Sequence, residues 1–215
     1  MRITVIDTET TGIIPKDFQH LDECPYMVQI GSITYDTKTS TIVHKINNII
    51  RIDDHINISQ EVSDINSITK ERCINEGVNI VDILHKINYQ FKDSDMIVAH
   101  NLEFDINILN YEYMRHDIPF EYLKLNKNMS FCTMSNGTQM CKIKKENSKG
   151  HYYKWPKLEE LHYHLFGTGL QNLHDAYNDL IICLRCYMFM NFKIDVTNDN
   201  EVLKNEIHSL LVEAS

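Results

Sequence analysis

Residues 2–12 read RITVIDTETTG. Arg2 to Ile6 is a short run with a β-branched bias and predicts a strand. It is followed by two carboxylates one residue apart, Asp7 and Glu9, set among Thr8, Thr10 and Thr11 and closed by Gly12. Residues i and i+2 of a strand share a face, so Asp7 and Glu9 can converge at the strand's C-terminal end. In α/β sheets that edge is where ligands bind. Taken alone, the pattern fits ordinary strand-to-turn chemistry equally well, because Asp, Thr and Gly are also turn residues.

Working outward, Met27 to Tyr35 and Thr41 to Ile50 read as two further strands joined by the turn DTKTS at 36–40, an antiparallel pair. A polar loop from Gly12 to Pro25 precedes them. Ile80, Leu84, Ile87 and Phe91 form a helical stripe over 79–91, followed by a strand MIVA at 96–99. A helix is expected from Leu102 with Asn101 as N-cap, a short strand SFCTM at 130–134, and helices over 157–165 and 175–190. An antiparallel run followed by alternating helices and strands predicts an α/β fold, a mixed sheet flanked by helices. After the polar break DVTNDN at 195–200, residues 201–214 carry Val202, Leu203, Ile207, Leu210 and Leu211 on one helical face. That helix either packs on the domain or docks a protein partner. The expected division is one domain over 1–192 and a tail over 193–215.

With 215 residues, 43% hydrophobic and 24% charged, the chain is expected to form one globular domain. It contains no apolar run of membrane-spanning length, and Asp7 comes too early for a secretory signal, so an intracellular protein, cytoplasmic or nuclear, is expected. Six scattered cysteines suit reduced thiols, and Cys183 and Cys186 fall inside a helix rather than at the N-terminus that would activate a redox pair. The net charge of -9 argues against a protein that coats nucleic acid through its overall field. Residues 140–157 are different, with six lysines against Glu146 and with Tyr152, Tyr153 and Trp155 interleaved. Basic and aromatic residues together suit tracking of a single strand, Lys144 and Lys145 reaching phosphates; a solvated surface insertion suits the same composition.

Two more acids lie where an apolar face is expected. In AHNLEFDINIL at 99–109, Asp105 flanks the stripe of Leu102, Ile106 and Leu109. In HDAYNDLIICLRCYMFM at 174–190, Asp179 shares a side with Cys183 and Cys186, opposite Asn178 and Arg185. A buried carboxylate is costly unless something satisfies it. With Asp175 as N-cap, His174 lies on the approach loop, from which it can share a site with Asp179. Four acids converge at neutral pH only with cations between them, and hard oxygen donors suit two Mg²⁺ or Mn²⁺ ions. Two such ions serve phosphoryl transfer, and a histidine nearby can take the proton of an attacking water.

DTETTG at 7–12, VAHNLEFD at 98–105 and HDAYND at 174–179 together resemble the three motifs of the DEDDh branch of the DnaQ-like 3′-5′ exonucleases. VQIGSI at 28–33, EVSDINSITKE at 61–71 and KWPKLEELHYHLFG at 154–167 resemble the intervening segments, so the likeness runs from Ile3 to Met190. It implies an RNase H-like fold with a central five-stranded mixed sheet. It also implies Asp7, Glu9, Asp105 and Asp179 as metal ligands, His174 as general base, Thr10 on the terminal nucleotide, and His100, Asn101 and Phe104 along the cleft. For His100 a structural, hydrogen-bonded imidazole is the competing reading. The implied activity is release of nucleoside 5′-monophosphates from 3′ ends, with single-stranded DNA favoured. An exoribonuclease or oligoribonuclease, and an inactive scaffold that binds a partner, are the alternatives; homodimerisation is left open.

Overall fold

The computed structural model describes residues 1–147, 150–171 and 175–212. Its centre is a five-stranded sheet in the order β3-β2-β1-β4-β5, built from β1 (Arg2–Thr10), β2 (Met27–Asp36), β3 (Thr41–Ile49), β4 (Met96–Ala99) and β5 (Ser130–Cys132). The β1–β2 and β2–β3 pairs are antiparallel, while β4 and β5 add in parallel. The mixed sheet expected from the sequence is therefore present. β2 is buried from Met27 to Tyr35, as a strand covered on both faces must be.

Alternation along β1 separates two cores. Ile3 and Val5 face α6 (Leu158–Phe166), α7 (Ala176–Phe192) and α8 (Glu201–Leu210), whereas Ile6 faces α3 (Ile80–Lys92) and α4 (Leu102–Arg115). Two short helices, α1 (Gln60–Asn66) and α2 (Lys70–Glu76), pass the start of β2 over a smaller cluster around Val28, Ile68 and Cys73. Between β5 and α6 lie α5 (Thr133–Cys141) and an antiparallel ribbon of β6 (Lys144–Asn147) and β7 (Gly150–Tyr153). β8 (Gly169–Leu170) pairs with β9 (Leu211–Val212).

Several sequence expectations need correction. β1 does not stop at Ile6 but runs through Asp7 and Glu9 to Thr10, because these residues keep pairing with β2. The 130–134 strand ends at Cys132; Thr133 opens α5, whose N-terminus is capped by the Cys132 sulfur accepting from the Ser135 amide. The last helix ends at Leu210 and Leu211 belongs to β9; Ala214, the last residue of the expected helix, lies outside the described residues. Its buried face is Leu203, Ile207 and Leu210, which pack into the α7 core, while Val202 is exposed. Arg185 is not on an open polar side. It is buried, pairs with Asp195 at 2.7 Å, bonds His162 at 2.9 Å and lies over the Phe166 ring, because the chain after α7 folds back beside it. All six cysteines are free thiols. No described helix is long and apolar enough to cross a membrane.

Candidate active site

β1 overruns its parallel neighbour. The pairing with β4 ends at Val5 with Val98, and β4 itself stops at Ala99, so the last residues of β1 face the start of α4. Asp105, in the first turn of α4, fills that gap: its Oδ1 accepts from the Thr8 amide at 2.9 Å and from Thr8 Oγ1 at 2.8 Å. Asp7 and Glu9 point to the opposite side, the one covered by α7. Oxygens of Asp7, Glu9 and Asp179 lie within 4.8 Å of one another.

What brings Asp179 down to the strand is a glycine. Gly31 of β2 pairs directly with Asp7. A Cβ there would stand 2.7 Å from Leu180 Cδ1 and 3.1 Å from the Ala176 carbonyl, so the absence of a side chain lets the first turn of α7 rest on the sheet. Asp175 caps that turn, accepting from the Tyr177 amide at 3.0 Å and the Asn178 amide at 3.3 Å. The sequence signal for Gly31 is a lone glycine inside the apolar run VQIGSI. A second unforeseen neighbour is Asn66, the buried last residue of α1, whose side chain hydrogen-bonds Glu9 while its Oδ1 accepts from the Ile68 amide.

The electrostatics of the cluster are those of uncompensated negative charge. Burial raises the Asp7 carboxyl well above the usual range, and the neighbouring Asp105, Asp179 and Glu9 add to it. Burial and then Asp179 lift Glu9 to about 7, against the pull of Asn66. Burial lifts Asp105 to about 8, against the two Thr8 hydrogen bonds. A divalent cation with a preference for hard oxygen ligands relieves this repulsion, so the donor set fits Mg²⁺ or Mn²⁺. Beneath the cluster, burial first and then Cys186 and the Asp7 and Asp105 charges, against the Thr133 hydrogen bond, push the Cys183 thiol pKa well up and keep it protonated.

The remaining predicted residues are distributed as follows. Thr10 is buried and donates to the Gly12 carbonyl at 2.6 Å, closing the turn after β1. Asn101 occupies the N-cap position of α4 in a left-handed conformation (φ 75°), without a side-chain cap bond. Phe104 is half-buried against the α3–α4 core. His100 has both ring nitrogens engaged, Nδ1 with Thr133 Oγ1 at 2.9 Å and Nε2 with the Pro156 carbonyl at 3.0 Å. Burial lowers its pKa to about 4, so the ring is neutral, with Nε2 donating. Lys144 and Lys145 are exposed on the β6–β7 ribbon. His174 lies outside the described residues.

The exonuclease I of Methylocaldum szegediense superposes with a TM-score of 0.64 at 16% identity, covering 92% of this chain and 42% of its own. Exonuclease I of E. coli in complex with a dT13 oligonucleotide gives a TM-score of 0.66 at 18% identity, covering 97% and 46%. These likenesses show the fold, which is RNase H-like. DNA polymerase III subunit epsilon of Treponema pallidum (strain Nichols) is 31% identical over 109 residues, 51% of this chain and 45% of that protein. The chain thus spans less than half the length of each of these relatives. A match to the exonuclease family RNase T extends over residues 4–187. Covering most of the chain and all three carboxylate motifs, that match places the protein in the RNase T family of exonucleases, of the DnaQ-like type.

Proposed function

We propose that the protein is a metal-dependent 3′-5′ exonuclease that hydrolyses the terminal phosphodiester of single-stranded nucleic acid, DNA before RNA, and releases nucleoside 5′-monophosphates. The observation that carries this reading is the gathering of Asp7, Glu9 and Asp179 within 4.8 Å at the open end of β1, where Thr8, between Asp7 and Glu9, also holds Asp105. E. coli exonuclease I in complex with dT13 and with dA16 oligonucleotides, two of the similar structures, agrees with a single strand as substrate.

In this reading Asp7, Glu9, Asp105 and Asp179 hold two Mg²⁺ or Mn²⁺ ions. When bound, such ions supply charge neutralisation and Lewis-acid assistance to phosphoryl transfer. The chain's own groups do the rest. His174 accepts the proton of the attacking water. Asp175 fixes the first turn of α7 just beyond it, and Thr8 fixes Asp105. Thr10, in the turn that ends β1, meets the terminal nucleotide, and Asn101 and Phe104 line its approach. Being neutral and doubly hydrogen-bonded, His100 takes no proton; it ties the start of α4 to Pro156. Lys144 and Lys145 contact phosphates further along the strand.

The test is incubation with 5′-labelled single-stranded DNA and RNA in Mg²⁺, in Mn²⁺ and in chelator, beside the Asp7→Asn variant. The expected result is a ladder shortened from the 3′ end, metal-dependent and lost in the variant, with the DNA strand shortened faster. No shortening of either strand in either metal would favour the alternative of an inactive scaffold that binds a partner. RNA shortened faster than DNA would make it an exoribonuclease.

A further inference from the structure

Trp155 is the single tryptophan of the chain and is 66% exposed. Its exposure does not come from a loose segment, because the backbone on either side is held. The Lys154 amide donates to the Ile143 carbonyl at 2.9 Å, and Lys154 Nζ binds both oxygens of Glu160 at 2.5 and 2.6 Å. The Pro156 carbonyl accepts from His100, and the Lys157 amide donates to Glu160 at 2.8 Å. An indole left in water on backbone held this firmly forgoes the large apolar burial that aromatic side chains normally contribute.

The indole borders a groove of about 390 Å³ whose walls include Leu102, Ile106, Tyr122, Cys132 and Met134. The groove opens at Asn101, one helical turn before Asp105. On the other side of Trp155 the chain leads directly into the β6–β7 ribbon, all eight residues of which are exposed. In its register Lys144 stands opposite Tyr153 and Lys145 opposite Tyr152. Lys154 and Lys157 are paired to acids of α6, whereas no ion pair is formed by Lys142, Lys144 or Lys145 among the described residues. A groove that combines apolar side chains with Asn101, Glu103, Asn107 and Ser135, an exposed indole, and lysines outside any ion pair among the described residues thus adjoin one another.

We propose that this groove is a nucleobase site: a nucleotide upstream of the 3′ end stacks on Trp155, and the phosphates beyond it reach Lys144 and Lys145. The proposal rests on the exonuclease reading and sharpens its substrate class to single strands long enough to cross the groove. A duplex has no unstacked base to offer, since its bases are already paired and stacked. The lysines supply charge complementary to phosphates within a protein of net charge -9, which favours a nucleic-acid strand over an acidic protein surface only because bases also match the aromatic wall.

The full chain can be tested with Ca²⁺ in place of the ions that support cleavage. Oligothymidylates of increasing length and a blunt hairpin duplex are titrated while Trp155 emission and the anisotropy of a labelled strand are followed. The emission is expected to quench with single strands beyond a threshold length and to stay unchanged with the hairpin. Trp155→Ala is expected to weaken binding of the long strand roughly 5- to 150-fold, the range for loss of one base stack, and Trp155→Phe to restore most of it. Strands that bind by anisotropy without changing the emission would overturn the groove proposal and leave the exonuclease reading intact. So would a Trp155→Ala variant of unchanged melting temperature that binds as tightly as the parent. Absence of both binding and cleavage would remove the exonuclease reading itself.

Discussion

The carboxylate cluster at the end of β1 and the β6–β7 ribbon are opposites in construction. The acids of the cluster come from β1, α4 and α7, are buried or half-buried, and burial together with neighbouring carboxylates raises the pKa values of Asp7, Glu9 and Asp105. The ribbon is local, fully exposed and positively charged. A buried cluster of like charges must be held against its own repulsion, so small errors in its supports are expensive. An exposed ribbon stores no such stress, and its contribution is confined to long-range attraction and stacking. Substitutions in the two regions should therefore differ in size, and in whether they affect chemistry or binding.

The largest effect expected outside the carboxylates themselves is at Gly31. Gly31→Val forces contact with Leu180 and the Ala176 carbonyl and lifts the first turn of α7, with Asp179, off Asp7. A displacement of about 1 Å at a catalytic group costs on the order of 10²-fold, so kcat should fall about that much. Overpacking should also remove about 1–3 kcal/mol of stability. Rates on short and long strands, with urea unfolding, check this. A variant that loses stability but keeps kcat would detach α7 placement from catalysis.

Metal removal comes next. The ordinary carboxyl pKa lies near 4, and the folded values of Glu9 and Asp105 are about 7 and about 8. Between these limits the folded protein binds more protons than the unfolded chain, so in chelator stability should fall as pH rises from about 4 to about 8. Divalent ions bind the ionised carboxylates. The stabilisation on adding Mg²⁺, seen as a rise in melting temperature, should thus be larger at pH 8 than at pH 6, its free energy reaching about 2.7 kcal/mol at a hundredfold excess over Kd. Melting curves with Mg²⁺ and with chelator at both pH values decide it. An equal increment at both pH values would contradict the raised carboxylates.

These supports also explain what could be read from the sequence. Asp7 and Glu9 were legible because a period of two places them together, and Asp105 and Asp179 because an acid beside an apolar stripe demands a partner. Asn66 and Gly31 were not, since their meaning depends on what packs across them: Gly31 is an unremarked gap in a strand until α7, some 145 residues later, leans on it. Short helices such as α1 and α2 lack the two turns over which a stripe becomes visible. The strand β1 was cut short at Ile6 because hydropathy ends there, while the backbone ladder does not. Arg185 was assigned to a polar side because nothing in its helix announces that Asp195 will return to cover it.

Asn66 gives a third, smaller test of the buried region. Asn66→Leu removes the side-chain hydrogen bond that favours ionised Glu9. Outer partners of metal ligands commonly matter by 10- to 100-fold, and with one neutral hydrogen bond lost the lower end applies. The Mg²⁺ concentration for half-maximal activity should rise about tenfold, with kcat at saturating metal nearly unchanged. A fall in kcat that added metal fails to recover would place Asn66 in α1 packing rather than in support of Glu9.

The smallest effect belongs to the ribbon. Lys144 and Lys145 are exposed and form no ion pair among the described residues, so replacing both by Ala should change the stability by no more than an ordinary surface substitution does, about 0.5 kcal/mol. The role proposed for them is charge, and charge is read by salt. Each phosphate contact on a single strand adds roughly 0.7 to the slope of log affinity against log salt, so the double variant should lower that slope by about 1.4 on long strands. KM for long strands should rise a few-fold at low salt and converge with the parent at high salt, while a dinucleotide, too short to leave the carboxylate end, should be hydrolysed with unchanged KM. Equal effects on both lengths would mean that the lysines act on the site as a whole, through the net charge of the protein, and would erase the distinction between a buried catalytic end and an exposed guiding one.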